Sequence, residues 1–257
     1  MNKRFFHRWA ENYGLFLLLL AALLAAWEMA ARLGWVPSFI LPAPTSVGQA
    51  LADDRSLLLG KHLPATLREA GLGFAVSVAI GTVLGVLMHT SRLLAKALYP
   101  FIVISQTIPL IALSPVLIMW LGYTIWAKAA IVFLTAFFPV VVSTYDGLSR
   151  KNNGYAELLL TMGATRAEIF RKVSVPLALP AYFSGLKLAI VYCVVGATIG
   201  EWLGGTEGLG YFSKRMSGSL HTDSMFAAIL LLSLLGIVLF AAVAALERLI
   251  LQKRGYE

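Results

Sequence analysis

The sequence predicts an all-α polytopic membrane protein with six transmembrane helices in one domain, residues 1–257. Hydrophobic residues make up 59% of the 257 residues, charged residues make up only 13%, and the mean hydropathy is +0.79. Several stretches of about 20 residues carry almost no charge, which is long enough for a helix to cross the ~30 Å hydrocarbon layer. A water-soluble globular protein is therefore excluded.

Six apolar segments are the predicted spans. The first follows a basic stretch that also resembles the start of a secretory signal, but its apolar residues continue past Glu28 to Trp35, which is too long for a signal. We expect an uncleaved anchor in which Glu28 and Arg32 pair one helical turn apart. The spans cover residues 15–33, 67–88, 95–121, 125–145, 177–203 and 226–246.

The distribution of the 21 Lys and Arg residues predicts the orientation. An even number of spans places both termini on one side of the membrane. If that side is the cytosol, thirteen of these residues lie in cytosolic segments, five lie in outer loops and three lie at or within helix ends. The positive-inside rule then predicts cytosolic termini, and the net charge of +8 reflects topology, with no nucleic acid as partner.

The predicted cytosolic loop, residues 147–176, has the pattern of a helical hairpin. Thr165 and Glu168 have the spacing of a capping box, and Gly163 suits the left-handed residue that ends the preceding helix. The hairpin is predicted over residues 153–173. From these residues alone, an amphipathic helix lying on the membrane surface is an alternative interpretation. The outer segments 35–66 and 204–224 are predicted as loops, because they contain the prolines of 41–44 and several glycines.

The hairpin resembles the cytosolic motif of permeases of binding-protein-dependent ABC importers, in which a Glu-Ala-Ala stretch precedes a Gly, an aliphatic residue and a Pro. The matching positions are Glu157, Gly163, Val173 and Pro176. Leu158 and Leu159 replace the two alanines, and both residue types favour a helix. Residues 41–45, 106–109, 120–122 and 200–211 resemble the subgroup that imports nitrate, taurine, alkanesulfonates and thiamine-precursor pyrimidines.

This resemblance implies a permease of type I ABC importer architecture in the bacterial cytoplasmic (inner) membrane. The implied partners are a second copy of the chain, two cytosolic ATPase subunits that bind ATP and magnesium, and a periplasmic or lipid-anchored solute-binding protein. The chain itself is expected to hold no cofactor and no metal. The resemblance assigns contact with the ATPase to the coupling hairpin. The residues assigned to this coupling are Glu157, Gly163, Ala164, Thr165, Arg166 and Glu168.

Polar and aromatic residues in the third and fifth spans are candidates for a solute pathway. Prolines free backbone carbonyls, and irregular backbone at membrane depth is tolerated where it lines a cavity or is buried in protein. The alternative for Gln106 and Thr107 is local hydrogen bonding at a proline kink. Trp120 and Tyr123 could also stack on an aromatic solute. The predicted pathway residues are Gln106, Thr107, Pro109 and Tyr192.

Other single residues are given structural roles. Glu201 is expected to form a structural pair near the outer interface, and Lys187 is expected to extend to the cytosolic headgroups. Cys193 is the only cysteine, so it excludes a disulfide framework and is expected to be buried. Small residues at four-residue spacing are expected to pack closely between helices. They are Ser77, Gly81 and Gly85, and Gly196 and Gly200.

Several chemistries are absent from the sequence. It contains no phosphate-binding Gly-x-x-x-x-Gly-Lys-Ser/Thr and no Gly-x-Ser-x-Gly, and its four histidines have no ligand spacing. The chain is therefore expected to be a transport subunit and not an enzyme. An ion-coupled secondary transporter remains an alternative, but it would carry charges at the bilayer midplane. An intramembrane enzyme would need converging His, Asp or Glu residues.

The substrate is predicted from residues 200–212, which look most like the permeases for thiamine-precursor pyrimidines or related flavin-like heteroaromatics. The predicted span interiors are neutral and carry aromatic and amide side chains, which favours an uncharged ring over an anion. Import of taurine, alkanesulfonates or nitrate by the same mechanism is the alternative.

Overall fold

The computed structural model describes residues 3–149 and 158–252, with side chains from residue 14 onward. All regular structure in these ranges is helical, which confirms the all-α fold. The helices are α1 (Lys3–Arg32), α2 (Pro44–Asp53), α3 (Arg55–Thr90), α4 (Arg92–Ser105), α5 (Leu110–Leu121), α6 (Ile125–Ser149), α7 (Arg166–Gly204), α8 (Leu209–Gly218) and α9 (Thr222–Gln252).

Within the described ranges, five helices are long and apolar enough to cross a membrane: α1, α3, α6, α7 and α9. A sixth span results if α4 and α5 are taken together, although they meet at an angle of 99°. The predicted third span, 95–121, therefore consists of two helices, and the predicted proline kink is a full break between them. Pro109 explains where the chain turns, because it has no N–H to continue the helix and its extended backbone begins α5.

Two helices begin earlier than the predicted spans. Helix α3 starts at Arg55 and α7 at Arg166, and each contains one wide π-type turn, at Leu58–His62 and Phe170–Ser174. Each wide turn lies just before a proline, Pro64 or Pro176, whose missing N–H breaks the regular bonding. The second arm of the hairpin is thus continuous with the fifth span, whereas the sequence predicted a separate helix.

Helices α3, α6 and α7 form the centre of the bundle. Helix α3 runs parallel to α6, since Gly81 meets Val140 and Gly85 meets Thr144. A methyl group built on Gly85 would lie 2.6 Å from Thr144 Cβ, so only glycine fits this crossing. Helix α7 runs antiparallel to α6, where Gly147 packs against Ala178. The close packing predicted for small residues is present at Gly81, Gly85 and Gly196, where an added methyl group would clash.

The bundle has a hairpin end and a far end. The hairpin end carries Gly163 and the ends of α3 and α6 at Thr90 and Ser149. The far end carries α2, α8 and the first residues of α6. Helices α2 and α8 occupy segments that the sequence predicted as loops.

Helix α1 is held to the bundle through its last turns. Glu28 pairs with Arg32 as predicted, and its carboxylate also accepts hydrogen bonds from the Thr45 N–H at 3.1 Å and the Thr45 hydroxyl at 2.8 Å. Glu28 therefore caps the start of α2, where backbone N–H groups have no partner within the helix. The Trp27 indole N–H donates to the Pro42 carbonyl at 3.0 Å.

Candidate functional site: the coupling hairpin, a polar groove and a buried charged cluster

The tip of the hairpin has the turn that its glycine predicted. Residues 158–161 are helical, and Gly163 follows with φ of +88°. The Ala164 N–H donates to the Leu159 carbonyl at 2.9 Å, and the Gly163 N–H donates to the Leu160 carbonyl at 3.0 Å. This pair of bonds is the Schellman arrangement that ends helices at a left-handed residue. Glu157 lies outside the described residues.

The capping box predicted at Thr165 and Glu168 is present. The Glu168 N–H donates to the Thr165 hydroxyl at 3.3 Å, and the Thr165 N–H donates to the Glu168 carboxylate at 3.0 Å. These two bonds fix the start of α7 at Thr165. Thr165 and Arg166 are exposed at the tip and available to a partner.

The hairpin meets the bundle at an aromatic contact. The Phe170 ring, in the wide turn of α7, stacks on the His89 imidazole near the end of α3, with centroids 6.0 Å apart and planes 27° apart. His89 also lies 3.4 Å from the Ser149 hydroxyl at the end of α6. These contacts connect the second arm of the hairpin to the ends of α3 and α6.

A groove of about 790 Å³ runs between the α4–α5 break and helices α6 and α7. Its polar lining comes from both halves of the chain and includes hydroxyl, amide and phenol groups. The polar lining residues are Gln106, Thr135, Ser143, Asp146, Ser184 and Tyr192. Asp146 is the one charged residue among the described residues of this lining. The groove can therefore offer hydrogen bonds to an uncharged solute.

The four predicted pathway residues divide between the groove and the helix break. Gln106 and Tyr192 line the groove, and Tyr192 is 40% exposed. Thr107 instead donates its hydroxyl to the Ile104 carbonyl at 2.8 Å, which is the local bonding considered as the alternative. Pro109 begins α5. Trp120 and Tyr123 are not among the described residues that line the groove.

The far end contains a buried charged cluster that the sequence did not predict. The Lys128 ammonium of α6 lies 2.5 Å from Glu69 Oε1 of α3, and these two residues are only 8% and 4% exposed. Glu201 of α7, 1% exposed, lies within hydrogen-bonding reach of Glu69. A signal existed, because Glu69 and Lys128 both fall inside predicted spans, where charged side chains are costly unless paired.

Two glycines shape the chain around the Glu201 carboxyl. The Gly210 N–H donates to Glu201 Oε2 at 2.5 Å, and a methyl group on Gly210 would lie 2.8 Å from the same oxygen. Gly208 has φ of +115° and donates its N–H to His62 Nδ1 at 3.1 Å. The Gly208-Leu209-Gly210 sequence therefore lets the backbone approach a buried acid. Glu201 is structurally paired, as predicted.

Lys187 has a different partner from the one predicted. Its ammonium lies 2.6 Å from Glu247 Oε2 of α9, and the side chains are 22% and 16% exposed. The expectation that Lys187 extends to the headgroups is thus wrong, because a carboxylate on the neighbouring helix is closer. Cys193 is fully buried, as expected.

Residues 77–252, more than half of the chain, match the family described as "Binding-protein-dependent transport system inner membrane component". The chain belongs to this family. It is therefore a permease of a bacterial ABC importer and not an enzyme. The predicted family is confirmed, and the secondary-transporter and intramembrane-enzyme alternatives are wrong.

Named relatives cover nearly the whole permease. The formylaminopyrimidine transport permease protein ThiX of Halalkalibacterium halodurans is 45% identical over 232 residues, which are 90% of this chain and 92% of that protein. The riboflavin transport system permease protein RibX of Chloroflexus aurantiacus is 33% identical and covers 91% and 87%. The putative aliphatic sulfonates transport permease protein SsuC of Bacillus subtilis is 29% identical and covers 93% and 87%.

A solved structure gives the fold of the permease independently. A chain of the MetNI methionine ABC transporter superposes with a TM-score of 0.65 at 22% identity, covering 76% of this permease and 96% of that chain. The predicted type I importer architecture is thereby confirmed.

Proposed function

We propose that this permease imports a thiamine-precursor pyrimidine or a closely related heteroaromatic compound. The observation that carries the proposal is the groove, whose described polar lining offers an amide, three hydroxyls, a phenol and a carboxylate, and no cation. A nitrate or sulfonate path would be expected to place donors with positive charge around its solute. Tyr192 and Gln106 can instead stack on and hydrogen-bond a small ring. The relative with 45% identity bears the name of a formylaminopyrimidine permease.

The groove proposal predicts that Tyr192 affects transport through its ring. In proteoliposomes that hold the complete importer, Tyr192→Ala should lower formylaminopyrimidine uptake by roughly tenfold, because the stacking surface is lost. Tyr192→Phe keeps the ring and should retain uptake within about threefold of the wild type. Equal uptake by all three proteins would remove Tyr192 from the pathway.

A second experiment tests the substrate class without relying on the groove. Calorimetric titration of the cognate solute-binding protein should show tight binding of formylaminopyrimidine and none of taurine or an alkanesulfonate. The opposite result would replace the proposed substrate with a sulfonate and leave the transporter assignment intact.

We further propose that the importer contains two copies of this permease, two ATPase subunits that bind ATP and magnesium, and one solute-binding protein. A second copy is supported by the groove, which opens to the surface of a single chain and needs a facing wall to become a closed path. Native mass spectrometry of the purified complex should give two permease copies and two ATPase copies. A single permease copy, or a second distinct permease, would contradict this composition.

The hairpin is proposed to contact the ATPases on the cytosolic side, with both chain termini on that side. The support is the tip, where Gly163, Thr165 and Arg166 are exposed and Ala164 is half-buried, and its contact with the ends of α3 and α6. Glu157 and Glu168 are proposed to steady the two arms, Glu168 through its capping box. Uncoupling by a substitution at Gly163, without loss of the folded complex, is the measurement that tests this contact.

A further inference from the structure

The buried charged cluster of Glu69, Lys128 and Glu201 has two oxygen atoms without a donor. Glu69 Oε1 accepts from the Lys128 ammonium, and Glu201 Oε2 accepts from the Gly210 N–H. The remaining oxygens, Glu69 Oε2 and Glu201 Oε1, are fully buried and have no hydrogen-bond partner among the described residues. Buried polar atoms are almost always paired, so these two call for a physical explanation.

The two carboxyl groups lie together beside Lys128, because Gly200, next to Glu201, packs against the Lys128 backbone, with a methyl group on Gly200 3.4 Å from Lys128 Cα. Ionised carboxylates only accept hydrogen bonds, so two of them side by side in a buried site repel and leave both facing oxygens unsatisfied. One cation, Lys128, contacts the cluster directly among the described residues. Two ionised acids with one ammonium would leave a net negative charge inside the bundle, which is costly to bury.

His62 does not supply a second cation. Its Nδ1 accepts the Gly208 N–H at 3.1 Å, and an imidazolium has no free lone pair with which to accept. His62 is therefore neutral in this arrangement. Three further charged residues, in α3, in the α7–α8 loop and in α8, lie around His62 or Glu69. They are Lys61, Glu207 and Arg215. They are not within ion-pair distance of Glu69 or Glu201 in the described structure.

We propose that Glu69 and Glu201 share one proton, carried on Glu201 Oε1 and donated to Glu69 Oε2. Each of the four carboxyl oxygens then has a partner. The cluster contains one ammonium, one carboxylate and one neutral acid, so its charges sum to zero. The proton lies on Glu201 because the Lys128 ammonium already fixes the negative charge on Glu69, whereas the other contacts of Glu201, the Gly210 N–H and the Thr66 hydroxyl, carry no full charge.

With the shared proton, the cluster connects the helices at the far end of the bundle and carries no net charge. Through Glu201, the acid pair joins α7 to the start of α8 at Gly210, and through Glu69 and Lys128 it joins α7 to α3 and α6. A methyl group on Gly208 would lie 2.2 Å from Glu201 Cδ, so the backbone packs directly against this carboxyl group.

Infrared spectroscopy of the purified importer in D₂O at pH 7 tests the proposal, because a protonated carboxylic acid has a carbonyl stretch apart from that of a carboxylate. The wild-type minus Glu201→Gln difference spectrum should show the loss of one acid band per permease chain. Glu247→Gln, which alters an acid paired with Lys187, should leave that band in place. A difference spectrum showing only lost carboxylate absorption would mean that Glu201 is ionised and would overturn the proposal.

A second variant keeps the test independent of how Glu201→Gln folds. In Glu69→Gln the Lys128 ammonium loses its counter-charge, so Glu201 should ionise in its place and the acid band should again disappear. An acid band that survives in Glu69→Gln would place the protonated group elsewhere. The melting temperature of Glu201→Gln should stay within about 3 °C of the wild type, because the amide can donate to Glu69 and accept from Gly210.

Discussion

Replacing Gly163 with valine should uncouple transport from ATP hydrolysis. Gly163 has φ of +88°, a region that costs an ordinary L-residue roughly 1–2 kcal/mol and a β-branched residue more. Nothing lies within 4 Å of a methyl group built at this position, so the only effect is on the backbone of the turn. We expect solute uptake in proteoliposomes to fall roughly tenfold while ATP hydrolysis by the assembled importer continues.

The matched control for this substitution is a second glycine with a positive φ. Gly34 has φ of +70° and also has open space around it, but it follows α1, away from the hairpin. Gly34→Val should therefore strain its turn equally and leave coupling intact. Gly163→Asn should be milder than Gly163→Val, because asparagine tolerates the left-handed region. Normal uptake by Gly163→Val at normal membrane levels would refute the role of the turn.

Removing the Lys128 ammonium should destabilise the permease more than removing an exposed one. Lys128→Met leaves the Glu69 carboxylate buried without its cation, a loss of about 3 kcal/mol. In a chain of this size the melting temperature should fall by about 10 °C in a thermal unfolding assay of the detergent-solubilised permease. Lys172→Met breaks an exposed pair with Glu168, which solvent screens, and should leave the melting temperature close to that of the wild type.

The double variant separates the charge from the packing. Lys128→Met combined with Glu69→Gln removes both ionic groups, so most of the lost stability should return. If the double variant is less stable than Lys128→Met alone, the pair is not the reason for the destabilisation.

The parts of the structure that the sequence predicted well depend on neighbouring residues. The Gly163 turn and the Thr165–Glu168 capping box follow from local backbone chemistry within six residues, and both are present. The spans also follow from local hydrophobicity. The broken third span was predicted only as a kink, because prolines indicate where a helix yields but not the angle at which it continues.

The parts that the sequence did not predict depend on residues that are distant along the chain. Glu69 and Lys128 are 59 positions apart, and only the packing of α3 on α6 shows that they meet. Lys187 and Glu247 pair across α7 and α9 for the same reason. Helix α8 was missed because its glycines indicate a loop, whereas Gly208 and Gly210 are required by the buried Glu201 carboxyl.

The glycine crossings of α3, α6 and α7 also constrain the transport cycle. A methyl group on Gly81 or Gly85 would already be too close to the facing helix, so these helices cannot slide past one another without a collision. We expect α3, α6 and α7 to move as one rigid unit during transport. A displacement at Phe170 is then expected to move the far end of the bundle as well. The rearrangements that open and close the permease are expected at the contacts of this unit with the surrounding helices.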